Sequence, residues 1–273
     1  MPKLESTLLG QSSVYYDEYN PSVLQPISRN LGRAELKFLA PHGVDVWRLY
    51  EITYLNKLNI PCAAVGMITV PASSAFIVES KSLKLYIGSF TQTKFASLKE
   101  VETVIAHDLG KVLECQVKVQ LFELEERPRA FVLNDLPGTL IDRMEGVTIT
   151  DFNYRPDILV KKPGPRVEEI LRTNLLRTLC PVTGQPDHAS VMIHYQGTQI
   201  NHQDLFCYLM SLRLHRGFHE QCVELIYHDL KSRLKIERLE VAACFTRRGG
   251  IDINPLRSDF AVDGSSIVRT FRQ

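Results

Sequence analysis

The same short pattern, Ile-x-His-Asp-Leu, occurs twice in this chain, and the two copies stand in the same context. They occupy residues 105–109 and 226–230, and each lies near the end of a helix-like segment that is followed by a strand-like one. A match in both residues and context is typical of an internal duplication. We therefore predict two similar modules, and we interpret His107 and His228 as markers of a shared fold position in preference to ligands.

Amphipathic helices are predicted in both halves. The first begins with a capping box, in which the side chains of Ser97 and Glu100 can each satisfy a free backbone N–H. Its apolar residues recur three or four positions apart, at 98, 101, 105 and 109, which places them on one helix face. The second half repeats this spacing at positions 223, 226, 230 and 234, after an earlier apolar stripe within residues 205–212.

Alternating apolar and polar residues predict a strand after each helical region, at 117–121 and at 239–245. Further strands are predicted at 46–54, 64–70, 171–179 and 191–195. Residues 125–165 contain five prolines and neither periodicity, which indicates a linker or crossover. The fold class that follows is α+β, with antiparallel sheets packed against helices in two modules.

The chain carries almost no net charge, with 32 Lys and Arg against 31 Asp and Glu. Proteins that bind duplex nucleic acid or anionic membranes usually have a basic excess, so we expect neither as a direct partner. No apolar stretch approaches the roughly 20 residues that span a bilayer. Acidic residues also interrupt residues 1–22 before a signal peptide could form, and we expect a cytoplasmic protein.

The six cysteines form no Cys-x-x-Cys pair, so we expect neither a disulfide framework nor a structural zinc site. Cys180 stands apart, because two prolines and a glycine fix a turn around it in residues 179–187. A thiolate held there can attack an electron-poor carbon. Asp187 can act as a general acid if burial or the thiolate raises its pKa. The alternatives are a small buried hydrophobic residue for Cys180 and an ordinary turn residue for Asp187.

Two segments carry carboxylates suited to a purine-like base. Glu79, in the run Glu-Ser-Lys-Ser-Leu-Lys-Leu-Tyr, presents two acceptor oxygens that match adjacent N–H donors. Glu220 follows His219, which can exchange protons near neutral pH. The alternatives are a solvated surface for the first segment and an acid favoured by a helix N-terminus for the second.

Phosphate binding is suggested by lysines and by a glycine turn. Lys81 and Lys84 follow Glu79, and Arg248 precedes Gly249 directly after a predicted strand. Guanidinium groups bind phosphates in a bidentate manner, and glycine lets a ligand approach the backbone. An ordinary strand-ending turn is the alternative. Neither a Gly-x-Gly-x-x-Gly fingerprint after a strand nor a Walker motif occurs, so those modes of nucleotide binding are not supported.

Together these segments resemble the NADPH-dependent 7-cyano-7-deazaguanine reductases, the QueF family. The segments are residues 79–86, Cys180 with residues 185–187, residues 218–220, and Arg-Arg-Gly-Gly-Ile-Asp-Ile-Asn-Pro at 247–255. The Glu-Ser-Lys-Ser-x-Lys run is the signature that separates this family from the related GTP cyclohydrolase I enzymes. The match spans nearly the whole chain and resembles the long form of two tandem tunnelling-fold (T-fold) modules. Residues 1–155 would carry the signature and residues 156–273 the cysteine.

This resemblance implies that the nitrile of 7-cyano-7-deazaguanine is reduced to the amine of 7-aminomethyl-7-deazaguanine with two NADPH, in queuosine biosynthesis for tRNA. The substrate would be a free base, and the protein a homodimer. Cys180 would form a covalent thioimide, Asp187 would protonate the nitrile nitrogen, and His219 would donate a proton in the second reduction. No metal is implied. The implied substrate-binding residues are Val78, Glu79, Ser80, His219 and Glu220, and the implied cofactor-binding residues are Ser80, Lys81, Arg248 and Gly249.

Two positions depart from the family pattern. His188 follows Asp187 where tryptophan is frequent, and Leu179 replaces a polar residue before the cysteine. Both changes concern the packing of the loop, and neither alters the cysteine or the acid. Two other hypotheses remain open from the residues: a zinc-dependent cyclohydrolase on the same fold, which needs Cys and His ligands, and a non-catalytic purine- or pterin-binding module, which needs the carboxylates without the thiol.

Overall fold

One eight-stranded sheet runs through the whole computed structural model, which describes residues 15–273. The strands are β1 Pro26–Ser28, β2 His42–Leu55, β3 Pro61–Pro71, β4 Phe76–Val78, β5 Lys118–Glu123, β6 Thr139–Leu140, β7 Arg166–Leu179, β8 Pro186–Thr198, β9 Arg238–Phe245 and β10 Ile251–Ser258. The helices are α1 Asn30–Arg33, α2 Ser80–Gly88, α3 Leu98–Leu113, α4 His202–Ser211 and α5 His219–Leu234.

The order of strands across the sheet is β5-β3-β2-β10-β9-β8-β7-β6, and β1 pairs separately with β4. Every pairing is antiparallel except the short one between β6 and β7. Each half of the chain contributes two long strands, two helices and a further strand. This is the predicted order of elements, except that α2 in the first half was not predicted. The α+β class with antiparallel pairing and helices is thereby confirmed, and the repeated order of elements is consistent with two tandem T-fold modules.

Matching irregularities in the two halves reveal the duplication. Strands β2 and β7 both contain 14 residues. The register of β2 against β3 shifts between Leu49 and Ile52, and the register of β7 against β8 shifts between Thr173 and Leu176. These shifts fall at the same distance from the start of each strand. A β-bulge in the same place in both modules is a feature that a repeated fold preserves.

In the repeated Ile-x-His-Asp-Leu pattern, the aspartate makes the same hydrogen bonds in both modules. In each module the Asp carboxylate accepts hydrogen bonds from two tyrosine hydroxyls, one on the preceding helix and one on the segment that leads into the module. The sets are Asp108 with Tyr86 (2.5 Å) and Tyr19 (2.6 Å), and Asp229 with Tyr208 (2.6 Å) and Tyr154 (2.9 Å). The neighbouring His107 is exposed and His228 is partly buried. The interpretation of the motif as a fold marker therefore applies chiefly to the aspartate.

Two hydrophobic cores lie beneath the helices, one in each module. Helices α2 and α3 pack on β2, β3 and β5, whereas α4 and α5 pack on β7, β8 and β9. A smaller cluster on the opposite sheet face joins strand residues to Leu136 and Ile267 from the connecting segment and the end of the chain. Helix α3 begins where its capping box predicts, because the Ser97 hydroxyl accepts a hydrogen bond from the N–H of Glu100.

Strand β10 joins the two modules. It pairs with β2 over all of residues 251–258, but with β9 only over residues 256–258. The β9–β10 hairpin therefore opens toward its turn, at the junction of the modules. Residues 125–165 are largely irregular, as predicted, apart from β6 and short 3₁₀ turns.

No helix within residues 15–273 combines the length and apolar character needed to cross a membrane. The expectation that no signal peptide is present concerns residues 1–22, of which 1–14 lie outside the described part of the chain.

Candidate active site

The thiol of Cys180 lies in the turn between β7 and β8. The N–H of Cys180 donates to the carbonyl of Gln185 (2.9 Å), and the N–H of Gly184 donates to the carbonyl of Cys180 (2.9 Å). Gly184 has a φ of +69°, a conformation that glycine adopts without strain. Cys180 is partly exposed, as the prediction of a chain reversal requires.

A small pocket opens beside this thiol at the junction of the modules. The β7–β8 turn, the start of α5, the β9–β10 turn and the segment before α2 meet there. Its lining includes Val78 and Ser80 from the first module and Cys180, Asp187, His219, Glu220 and Arg248 from the second. The fold thus brings most of the predicted site residues together, although they lie far apart in the sequence.

Hydrogen bonds within the turn favour the thiolate. Partial burial acts to raise the pKa of Cys180, but donors on Thr183 and the backbone N–H of Val182 outweigh it and hold that pKa below its ordinary value. Asp187 opposes this effect through its negative charge. A low pKa and partial exposure are the properties of a reactive cysteine. Cys207 is also partly exposed, but burial raises its pKa, so it lacks the first of these two properties.

Asp187 is 5% exposed and lies at the start of β8, close to the thiol. Burial raises the pKa of its carboxyl above the ordinary value, and the charges of Arg248 and Lys84 offset only part of that effect. Nη2 of Arg248 lies 3.1 Å from Oδ1 of Asp187. Burial thereby favours the protonated form of Asp187, which is the form that a general acid needs.

His219 is the first residue of α5 and is neutral in the unliganded protein. Burial, with the nearby charges of Arg248 and Lys84, lowers the pKa of His219 to about 3. Its Nε2 lies 3.8 Å from Oδ1 of Asp187, and its ring packs edge-on against Phe245 with centroids 4.2 Å apart. The imidazole therefore presents polar atoms to the pocket without carrying charge.

Glu220 is 2% exposed yet lines the pocket. Burial, with the negative charge of Asp45, raises the pKa of Glu220 to about 8. The carboxyl of the unliganded protein is therefore protonated at neutral pH. A ligand that donated two hydrogen bonds to it would favour the ionised form.

Glu79 has a local role that its sequence did not suggest. Its neighbours Val78 and Ser80 line the pocket, whereas its carboxylate caps α2. The carboxylate oxygens accept hydrogen bonds from the N–H groups of Lys81 (2.9 Å) and Ser82 (2.7 Å). Each oxygen retains capacity for another donor, because an ionised carboxylate offers about four acceptor sites.

The cofactor-binding candidates form a positively charged area beside the pocket. Gly249 and Gly250 both have positive φ, as a two-residue hairpin turn between β9 and β10 requires. A Cβ added at Gly249 would lie 3.1 Å from Cδ of Lys84, so this turn packs directly on α2. Lys81 is exposed on the first turn of the same helix. These cations and the glycine turn fit a ligand that carries phosphates.

The sequence did not indicate every residue of the pocket. Trp47 and Ile253 also line it, from the neighbouring strands β2 and β10. Both belong to apolar stretches typical of core, and nothing local distinguishes them from core residues. The backbone carbonyl of His188 accepts a hydrogen bond from the N–H of Thr246 (2.8 Å). In residues 15–273, no group of three or more His, Cys, Asp or Glu side chains is arranged to hold a metal ion.

Comparison with known proteins adds independent information. A family model described as "Nitrile reductase, 7-cyano-7-deazaguanine-reductase N-term" matches residues 15–121, and one described as "QueF-like protein" matches residues 186–261. An NADPH-dependent 7-cyano-7-deazaguanine reductase of Colwellia psychrerythraea (strain 34H) is 39% identical over 279 residues, which cover 99% of this chain and 97% of the relative.

Among solved structures, the apo form of the archaeosine synthase QueF-Like aligns at 17% identity with a TM-score of 0.31. The alignment covers 38% of this chain and 100% of that one.

Proposed function

The chain belongs to the family of NADPH-dependent 7-cyano-7-deazaguanine reductases, and we propose that Cys180 is the nucleophile of its reaction. The reaction reduces the nitrile of 7-cyano-7-deazaguanine to the primary amine of 7-aminomethyl-7-deazaguanine, a step in queuosine biosynthesis. One observation carries the proposal: a partly exposed thiol with a lowered pKa shares a pocket with a buried acid whose pKa is raised.

In the first step, the Cys180 thiolate donates an electron pair to the nitrile carbon, and a carbon–sulfur bond forms. One π bond of the nitrile breaks, and its electrons move to nitrogen. That nitrogen takes the proton of Asp187, which leaves a neutral thioimide and an ionised carboxylate. Arg248, 3.1 Å away, stabilises the new negative charge on Asp187.

Two molecules of NADPH, bound one after the other, would each supply one hydride. After the first, the carbon–sulfur bond breaks and Cys180 recovers its electron pair as a thiolate. We propose that His219 donates the proton required at nitrogen in the second reduction. Because burial, Arg248 and Lys84 together depress the pKa of His219, it takes up that role only when an anion offsets these two cations.

Base recognition is assigned to Glu220 and Glu79, with Val78, Ser80 and His219. The support for Glu220 is its burial at the pocket wall, and the support for Val78 and Ser80 is their place in the lining. Glu79 can take part through acceptor capacity that its role as helix cap leaves free. Adjacent N–H donors on a guanine-like edge match a carboxylate in a bidentate manner.

The NADPH phosphates are assigned to Ser80, Lys81, Arg248 and Gly249. Support comes from the contact between the glycine turn and α2, which gathers the cations on one side of the pocket. A side chain at position 249 would crowd Lys84, because a Cβ there would lie 3.1 Å from its Cδ, so glycine lets the turn pack on α2.

We further propose a cytoplasmic homodimer that acts on the free base without contacting nucleic acid, and a division of the chain into modules at residues 155 and 156. The near-zero net charge supports a free-base substrate. Within the described chain, β5 pairs only with β3 and leaves its other edge open, which is a route by which sheets associate. The molar mass in solution tests the dimer.

The test of the nucleophile is to incubate the protein with 7-cyano-7-deazaguanine in the absence of NADPH. Mass spectrometry should find one base added per chain and locate it on Cys180. Addition to another cysteine, or no addition at all, would contradict the assignment. A purine-binding module without catalysis would bind the base reversibly and form no adduct.

A further inference from the structure

Behind Glu220, away from the pocket, lies a buried network of ion pairs that joins the two modules. Asp45 on β2 pairs through one oxygen with Arg29 (2.6 Å) and through the other with Arg257 on β10 (2.7 Å). Glu224 on α5 pairs with Arg257 (2.7 Å) and Arg33 (2.5 Å). All but Arg33 are almost fully buried.

This network lacks one negative charge. It holds three arginines and two carboxylates, and the pKa values of Asp45 and Glu224 lie below their ordinary range despite burial, because the arginines favour the ionised forms. Its net charge is therefore +1. One guanidinium nitrogen, Nη1 of Arg29, is buried and has no hydrogen-bond partner in residues 15–273. Its nearest carboxylate oxygen in an ion pair, on Glu224, lies 3.8 Å away.

Glu220 is placed to supply the missing charge. It precedes Glu224 by one helical turn, so both side chains lie on the same side of α5. The segment that carries Arg29 packs against that turn: a Cβ added at Gly32 would lie 2.6 Å from Cγ of Gln221. Positive charge on Arg29 favours the ionised form of Glu220.

We propose that Arg29 is a positioning residue that serves as the counter-ion of Glu220 when a guanine-like base binds and Glu220 ionises. When a base donates two N–H groups to Glu220, the carboxyl proton is released to solvent. The spare Nη1 of Arg29 then stabilises the negative charge of the carboxylate. Recognition in the second module then depends on an arginine from the first. This inference rests on the proposed role of Glu220 in base binding.

Other charged groups surround Glu220. Asp45 on β2 opposes its ionisation, and Arg257 on β10 favours it. Cys222, two residues along on α5, is fully buried with a pKa raised to about 12, so it stays neutral. On the pocket side, the lining contributes the neutral His219, together with Asp187 and the Arg248 guanidinium 3.1 Å from it. Arg29 is the member of this set that combines a positive charge with an unused donor.

The test measures binding of 7-cyano-7-deazaguanine by calorimetry in a Cys180→Ala background, where no covalent bond can form. Affinity should rise with pH and level off above about pH 8, with about one proton released per base at pH 7. Glu220→Gln should remove both effects, and any pH dependence that remains belongs to the base itself.

Arg29→Met should move the rising limb to higher pH and weaken binding at pH 7 by about tenfold for each unit of that shift. Arg29→Lys, which keeps the charge, should restore most of the loss. Ser74→Ala is the matched control, because it removes the hydroxyl that accepts from Nε of Arg29 without changing any charge, and its limb should stay in place.

The outcomes separate the two proposals. If Glu220→Gln abolishes the pH dependence but Arg29→Met leaves the limb unmoved, Arg29 is not the counter-ion. If no proton is released at pH 7 in the Cys180→Ala protein, which keeps Arg29, the inference is also overturned, even where Arg29→Met does not fold. If Glu220→Gln binds the base as the parent does, the proposed role of Glu220 itself is wrong.

Discussion

Nη2 of Arg248 lies 3.1 Å from Oδ1 of Asp187, and Nη1 of the same guanidinium donates to the side-chain oxygen of Gln185. These contacts tie the β9–β10 turn to the loop that carries Cys180. At Asp187, burial and the Arg248 guanidinium have opposite effects on the pKa of the carboxyl. Burial raises the pKa of that carboxyl and Arg248 lowers it, so the pair controls the pH at which the acid holds its proton.

Replacement of Arg248 should raise the pKa of Asp187. A general acid works protonated, so adduct formation falls as the pH rises through its pKa. Arg248→Ala removes a cation that lowers the pKa of Asp187, and the falling limb should shift upward by about 1 pH unit or more. The measurement is the rate of adduct formation against pH without cofactor. Arg247→Ala removes a neighbouring charge that stacks on Tyr50, 4.7 Å away, and should leave the limb in place. If the falling limb of the Arg248→Ala profile does not shift, the coupling between Arg248 and Asp187 is refuted.

Asp187→Asn should slow adduct formation by roughly 10²–10⁴-fold, which is the usual contribution of a positioned proton donor. The amide has nearly the same shape as the acid but cannot transfer a proton to the nitrile nitrogen. Stopped-flow measurement of adduct formation gives the rate directly. An unchanged rate would remove Asp187 as the acid.

The Thr183 hydroxyl should help to set the pKa of Cys180. Because hydrogen bonds from Thr183 lower the pKa of Cys180, Thr183→Val should raise that pKa and shift the pH profile of thiol alkylation upward. Thr183→Ser keeps the hydroxyl and serves as the matched control. If Thr183→Val and Thr183→Ser titrate alike, the backbone donors of the turn are sufficient without the hydroxyl.

Glu220 should reduce the stability of the unliganded protein at neutral pH. The pKa of this acid is about 8 when folded, against an ordinary value of 4.5, so the folded state binds a proton that the unfolded state releases between these values. Stability therefore falls as the pH rises through that window. Glu220→Gln should remove the fall and gain a few kcal/mol at pH 7 in urea unfolding. The exposed Glu125→Gln should have no such effect, and equal pH dependence in Glu220→Gln and the parent would contradict the prediction.

The sequence predicted those parts of the fold that local rules determine. The capping box at Ser97 and the regular apolar spacing after it define α3, because hydrogen bonds and side-chain contacts within a few residues decide such a helix. The same holds for the turn at Cys180, which proline and glycine specify without help from distant residues. Helix α2 was not recognised, because its nine residues give only a short apolar stripe beside its charges.

Strand β10 was missed for a reason that lies elsewhere in the chain. It contains Pro255, which argues against a central strand, and its polar residues are buried. The pairing of β10 explains why a proline is tolerated at position 255. Strand β9 pairs with β10 only after this proline, over residues 256–258. Buried Arg257 is satisfied by Asp45 and Glu224, which lie 212 and 33 residues away in sequence. Long-range pairs of this kind, like the counter-ion proposed for Glu220, leave no local pattern to read.

The most direct test of the account follows the loss of NADPH absorbance in the presence of 7-cyano-7-deazaguanine, with Cys180→Ala compared against Cys207→Ala, a cysteine on α4 outside the pocket lining. The parent and Cys207→Ala should each consume two NADPH per base and yield the amine. Cys180→Ala should bind the base and consume none. A Cys180→Ala protein that still reduces the nitrile would contradict the covalent mechanism.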